Sequence, residues 1–383
     1  MSQGVSKQKF VATDRPTRLS SKRSTSEPQP STTPTTVTGR RRTMVKKAPK
    51  KSVFLPFFGI FLQLVIIGIG ISVITGTSIA FFRPEPVVVA PPETTPTDTP
   101  KTTPTTSPLP EPATKTELTE LTTKINALTK SQPDITVETY LTDLDSGGYV
   151  NIKGSEAIAS ASMIKIPVLV AFLQDVDAGK ARLDEQLVLS KDVIVGESGG
   201  LQYEPVGTKI SALETITLMI IISDNTATNM IIKRIGGIEE ANQRFLSWDL
   251  TSTVIRNPLP DLTGTNTTSP EDLVNLLSMV EQGKILSPRS RDRLMDIMHR
   301  TKTNTLLPQG IPPDARIAHK TGDIKSVVGD AGIIDMPNGK RYIISAIAKR
   351  PSNDQRANEL IRQISRTVYT HLQDMPKPKP VAN

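Results

Sequence analysis

Residues 316–348 read RIAHKTGDIKSVVGDAGIIDMPNGKRYIISAIA, and this stretch decides the fold. Three runs rich in Ile, Val and Ala lie around Arg316–Lys320, Ala331–Asp335 and Arg341–Ala348. Short apolar runs bounded by turn residues read as strands. The last two flank Pro337-Asn338-Gly339, whose Asn-Gly pair is a strong hairpin turn. Beyond them Ala357, Leu360, Ile361, Ile364, Val368 and Leu372 fall on one face of a helix. In the other direction, Ser162 to about Met298 reads mostly helical, with long loops. Before that block, Leu118, Leu121, Ile125 and Leu128 share a helix face. Ile135, Val137, Thr139 and Leu141 then alternate as a strand, Asp145-Ser146-Gly147-Gly148 turns, and Tyr149–Ile152 returns. The order helix–hairpin, helices, three strands, helix predicts an α/β (α+β) domain over residues 114–375. Its core is one five-stranded antiparallel sheet, built from both ends of the domain and flanked by the terminal helices. A mostly helical second lobe comes from the middle.

Composition narrows the chemistry. The chain of 383 residues has no Cys, which excludes disulfides, iron–sulfur clusters, thiolate zinc sites and a cysteine nucleophile. His299, His319 and His371 are the three histidines and stand at no ligand spacing, so no metal and no cofactor is predicted. The 4% aromatic content is too low for a nucleic-acid stacking platform. The net charge of +8 is confined to one end: residues 1–51 hold 13 Lys and Arg against Asp14 and Glu27. No nucleic-acid partner is predicted.

Residues 52–82 contain no charge and include FFGIFLQLVIIGIGISVITGTSIAFF. At ~1.5 Å per residue this exceeds the ~30 Å hydrocarbon core, and it is longer than the ~7–15 apolar residues of a cleaved leader. A retained transmembrane helix is predicted, with residues 1–51 as a disordered basic tail. Arg40-Arg41-Arg42, Lys46, Lys47, Lys50 and Lys51 precede the span and Arg83 alone follows it. The positive-inside bias then predicts a single-pass protein of the inner (plasma) membrane, N-terminus cytoplasmic and folded domain periplasmic or extracytoplasmic. Residues 83–113 carry ten prolines and many threonines, an extended linker, and residues 376–383 form a short C-terminal tail.

Three motifs carry chemistry. Ser162-Met163-Ile164-Lys165 opens the apolar run from Ile166 to Leu173. With Ser162 at a helix start, Lys165 lies one turn on, on the same face. A serine hydroxyl needs a base within reach, and a buried lysine beside another cation can serve. Ser223-Asp224-Asn225 stands between two helices, and Lys320-Thr321-Gly322 ends a strand, where glycine admits a second backbone. Each alone also fits ordinary capping or turn structure, and Ser6-Lys7-Gln8-Lys9 shows how readily S-x-x-K recurs.

Together, in this order and on these elements, they resemble the serine penicillin-binding protein and class A β-lactamase superfamily. The resemblance covers the whole globular part and implies the β-lactamase/transpeptidase-like fold. It implies Ser162 as acylated nucleophile, Lys165 as general base and Ser223 as proton carrier to the leaving nitrogen. Asn225 would hold Lys165 and the substrate amide, Lys320 would keep the site electropositive, and Thr321 would bind the substrate carboxylate beside Gly322. The N–H groups of Ser162 and Asp323 would form the oxyanion hole.

One absence matters as much. Class A β-lactamases hold a glutamate in a Glu-x-x-Leu-Asn pattern, which activates the water that hydrolyses the acyl-enzyme. Aligning Leu262 with the family leucine puts Leu259 in the glutamate's place and Thr263 in the asparagine's. Asp261 is the sole carboxylate of that loop, at the wrong offset. The stretch Asn257–Pro270 resembles a cyanobacterial group of penicillin-binding proteins related to class A β-lactamases. Ala331 occupies the place of the family's arginine on the strand after the Lys-Thr-Gly motif, leaving Lys325 and Arg256 as candidate cations for carboxylate recognition. The expected function is a membrane-anchored DD-peptidase-like acyltransferase or hydrolase. Its partner is a peptidoglycan stem peptide of D-alanyl-D-alanine type, or a β-lactam that acylates it. A β-lactamase with another water activator, and a non-catalytic β-lactam or cell-wall sensor, are the alternatives.

Overall fold

The computed structural model describes residues 116–376. The predicted tail 1–51, the span 52–82, the linker 83–113 and residues 377–383 lie outside the described residues. Among the described residues no helix is long and apolar enough to cross a membrane.

The chain begins with β1 (Thr116–Glu117), α1 (Thr119–Lys130), β2 (Thr136–Asp143) and β3 (Gly148–Ile152). A short β4 (Ile158–Ala159) leads into a 3₁₀ turn, Ala161–Ile164, which runs directly into α2 (Lys165–Asp177). The helical lobe continues through β5 (Gln186–Val188), β6 (Lys209–Ser211), α3 (Ala212–Ile221), α4 (Asn225–Arg234) and α5 (Ile238–Ser247). After β7 (Thr267–Thr268) come α6 (Pro270–Glu281) and α7 (Pro288–His299). The chain closes with β8 (Arg316–Ile324), β9 (Val327–Asp335), β10 (Arg341–Lys349) and α8 (Arg356–Asp374). Local sequence sets the helix starts. Ser211, Asp224, Ser269 and Ser287 each accept a backbone N–H two or three residues into their helix, and Pro270 and Pro288 occupy first-turn positions that need no donor.

The main sheet has the order β1-β3-β2-β10-β9-β8. Its five long strands are antiparallel neighbours, as the hydrophobic pattern predicts. The sheet is nevertheless mixed and six-stranded, because β1 adds a parallel edge to β3 through Thr116 and Glu117. Two residues carry no alternation, so nothing local marks them as a strand; the pairing is secured by Leu118 N donating to Tyr149 O at 2.8 Å. Side chains alternate across the sheet as a period of two requires. Tyr342, Ile344, Ala346 and Ala348 face a core shared with α1 and α8, while Ile343 and Ile347 face the larger core of the helical lobe. A sheet covered on both faces explains why this part of the sequence is apolar at nearly every position.

Candidate active site

The site forms where edge strand β8 meets the turn before α2. The contact is close. A Cβ on Gly322 would lie 2.9 Å from Ala161 Cβ, 3.0 Å from Ser162 N and 3.1 Å from Ser160 O. Glycine is therefore what lets the strand approach the serine-bearing turn. That turn is itself unusual, since Ala161 adopts φ 43° and Ser162 belongs to the 3₁₀ segment. The α-helix starts at Lys165, three residues later than a helix begun at Ser162, and Pro167 sits in its first turn where its missing donor costs nothing.

Lys165 is fully buried beneath this junction. Its Nζ lies 2.6 Å from Ser223 O, 3.0 Å from Ser223 Oγ and 2.9 Å from Asn225 Oδ1. Burial first, then the Lys320 ammonium, push Lys165 well below its ordinary value, against the opposing Asp224 carboxylate. A neutral amine keeps two N–H donors and gains a lone pair. The two oxygens without a proton, Ser223 O and Asn225 Oδ1, can take those donors, and the lone pair is left for a hydroxyl. This is what a general base for a serine needs.

Ser223 holds its place at a backbone cost. Its φ is 59°, a left-handed conformation that a non-glycine residue adopts at ~1–3 kcal/mol and that clusters at functional sites. Asp224, predicted only as part of a motif, is the organiser: its buried carboxylate caps α4 through Ala227 N at 2.8 Å and also accepts from Leu201 N at 3.0 Å. The loop over α4 is bound to it further by Asn225 N to Ser198 O at 3.0 Å and Asn225 Nδ2 to Gly196 O at 3.1 Å. Gly199 is required there, with φ +98° and a hypothetical Cβ only 2.1 Å from the Asp224 carboxylate carbon.

On the strand side, Lys320 is buried and donates to Thr321 O at 2.7 Å. Burial lowers it to about 8, with Asp330 pulling the other way. Behind it, buried His319 pairs with Asp330 at 2.9 Å and contacts Asn304 Oδ1 at 3.1 Å, which fixes the strand from the far face.

These elements enclose a cleft of about 260 Å³ that brings together Ser162, Ser223, Asn225, Thr321 and Asp323. Lys165 and Lys320 lie just beneath its wall, bonded to Ser223, Asn225 and Thr321. Leu259, Pro260, Asp261 and Leu262, from the loop before β7, form a second wall. Leu259 is buried and held by Asn229, which accepts from its N–H at 3.0 Å and donates to its carbonyl at 2.8 Å. Asp261 is consumed by its own loop, accepting from Thr263 Oγ1, Thr265 Oγ1 and Asn266 N. The two cations proposed for carboxylate recognition do not line the cleft. Arg256 instead donates to Thr265 O and Thr267 Oγ1, and Lys325 lies in the β8–β9 turn. Sequence reasoning missed Glu197, an exposed carboxylate on the cleft rim, at φ 73° and with no side-chain partner among the described residues. It lies in no motif, and no local signal marks it. Among the described residues no cluster of His, Asp and Glu could hold a metal.

A serine at a strained turn, a buried lysine with a depressed basicity and a glycine-gated edge strand define a serine-hydrolase type of site. The chain belongs to the beta-lactamase enzyme family, whose model matches residues 120–372. Among solved structures it is similar to PBP-A, at 54% identity and TM-score 0.67 over 68% of this chain and 98% of that one. A leucine-to-glutamate variant of PBP-A, in an acyl-enzyme complex with penicillin G, matches equally well. A beta-lactamase from Chitinophaga pinensis matches at 26% identity, TM-score 0.62, over 66% and 99% of the two chains. Beta-lactamase BRO-1 of Moraxella catarrhalis is 28% identical over 248 residues, 60% of this chain and 77% of its own.

Proposed function

We propose that this protein is a membrane-anchored serine acyl-enzyme of penicillin-binding, DD-peptidase-like type. It acts on D-alanyl-D-alanine-type peptides of peptidoglycan and is acylated by β-lactams. Ser162 attacks the scissile carbonyl, Lys165 takes its proton, and Ser223 returns a proton to the leaving nitrogen. Thr321, with Lys320 behind it, receives the substrate carboxylate, and the N–H groups of Ser162 and Asp323 receive the oxyanion. The observation that carries this reading is that Leu259, clamped by Asn229, lines the cleft with an apolar side chain at the position that the motif alignment gives to the family's glutamate. Losing a general base typically costs ~10²–10⁴ in rate, so a penicilloyl group on Ser162 persists. The acyl-enzyme of the PBP-A variant with penicillin G supports β-lactam acylation here. Intact mass after penicillin exposure, followed over hours, tests it. A long-lived adduct on Ser162 is expected, and rapid nitrocefin turnover would replace this reading.

A second reading, β-lactam hydrolysis, draws support from the beta-lactamases among the relatives and from Glu197, a free carboxylate on the cleft rim. Membrane anchoring rests on the uncharged run 52–82 and its one-sided basic flank. Protease added to intact spheroplasts should remove the folded domain; protection would reverse the topology.

A further inference from the structure

Of the three carboxylates that line the cleft, Glu197 stands free at the rim and Asp261 is tied into its own loop. Asp323 is different. It follows Gly322 on β8, two residues beyond Thr321, and its side chain is half-exposed toward the cleft. Residues two apart on a strand share a face at ~7 Å. A fixed negative charge therefore stands ~7 Å from the place where an anionic ligand would put its own carboxylate.

One residue answers that charge. Arg350, at the end of β10, has a side chain that is 1% exposed and pairs with Asp323 Oδ1. The same guanidinium donates to Ile324 O at 3.1 Å and to Asn358 Oδ1 at 2.8 Å, while its Nε is buried without a partner. Burying a guanidinium is costly, and a merely structural tie at this corner does not need a charge. The backbone already supplies such ties, through Arg350 N to Ser326 O and Asn353 N to Lys325 O, both at 2.8 Å.

We propose that Arg350 is a specificity-determining residue that acts through Asp323: it cancels a carboxylate built into the cleft wall and so admits ligands that bear a carboxylate of their own. The inference rests on the reading that β-lactams acylate Ser162. Like charges ~7 Å apart in a partly desolvated site shift binding by about tenfold or more.

The test is acylation of the full-length chain by penicillin G and by its uncharged methyl ester, each over a range of concentrations. Four proteins are compared: wild type, Arg350→Met, Asp323→Asn and the double variant. With penicillin G the half-saturating concentration should rise about tenfold in Arg350→Met and fall about threefold in Asp323→Asn. The double variant, neutral again, should return to within about threefold of wild type. The methyl ester should show no such order. A loss in Arg350→Met that Asp323→Asn does not rescue, or one of equal size with the ester, makes Arg350 a structural tie and overturns the proposal. Should circular dichroism show Arg350→Met unfolded, Asp323→Asn alone decides: a gain for penicillin G but not the ester supports the proposal, and equal or no effect overturns it. A wild-type chain that penicillin G never acylates removes the acyl-enzyme reading itself, and this inference with it.

Discussion

The cleft has two walls that treat their polar atoms in opposite ways. Around Lys165, Ser223 and Asn225, side chains from α2, the α3–α4 junction and α4 converge on one buried nitrogen, and two hydroxyls are left bordering the cleft. In residues 257–266 the polar groups serve the loop itself. Asp261 ties down Thr263, Thr265 and Asn266, while the Asn266 side chain bonds Arg256 N, Asn257 N and Asn257 O. What that loop presents to the cleft is mostly carbon: Leu259, Pro260 and Leu262. Under the proposed function, forming an acyl-enzyme and hydrolysing it would make separate demands on the two: the first holds a buried amine, and the one carboxylate of the second, Asp261, is tied into its own loop.

Substitutions on the first wall should have the larger effects. Ser162→Ala should abolish covalent labelling by fluorescent penicillin while circular dichroism stays unchanged; labelling at a normal rate would put the nucleophile elsewhere. Lys165→Ala should slow acylation by ~10²–10⁴, measured by stopped-flow with nitrocefin or a fluorescent penicillin. On the second wall the sign reverses. Leu259→Glu should speed decay of the penicilloyl adduct by about tenfold, short of an evolved base because Thr263 stands in place of the asparagine that would share in positioning the water, and its hydroxyl is bonded to Asp261. Fast decay in the wild type would erase the contrast between the walls.

Acidity offers a gentler probe. With Lys320 at about 8, its charge is present below that pH and lost above it, so acylation should fall about tenfold between pH 7 and 9. On the acid side the rate falls as Lys165 takes up a proton and its lone pair disappears. Folding responds oppositely. Both lysines are depressed from 10.5, so the unfolded chain holds more protons, and their contribution to stability rises as pH climbs from about 8 toward 10.5. Rate and melting temperature should therefore move in opposite directions above pH 8, and a parallel fall would argue against a buried, cationic Lys320.

Much of this was legible in the sequence because it is local or repeated. Ile343 and Ile344 point to opposite cores on one strand, a pattern visible as an apolar run with a turn on one side. The three motifs named the residues at the junction because each is a short string. What stayed hidden depends on distance or on backbone shape. Thr116–Glu117 is a strand only because Tyr149 is beside it. The turn at Ser162 is 3₁₀ because Ala161 takes a positive φ, which alanine does not advertise. Arg256 looked available in sequence and is spent on Thr265 and Thr267; Arg350, 27 residues from Asp323, gave no sign of its partner.

The strand order has a consequence in time. β10, near the end of the chain, lies in the middle of the sheet, joining β2 to β9, and Tyr342 pairs with Asp143 across 199 residues of sequence. A ribosome therefore finishes Ser162 and Lys165 long before the edge strand that must press against them can be supported. Contacts of such long separation form late and slowly. Through that interval the serine is only an alcohol on an unfinished chain, and the site around it is complete only when the central strand closes the sheet.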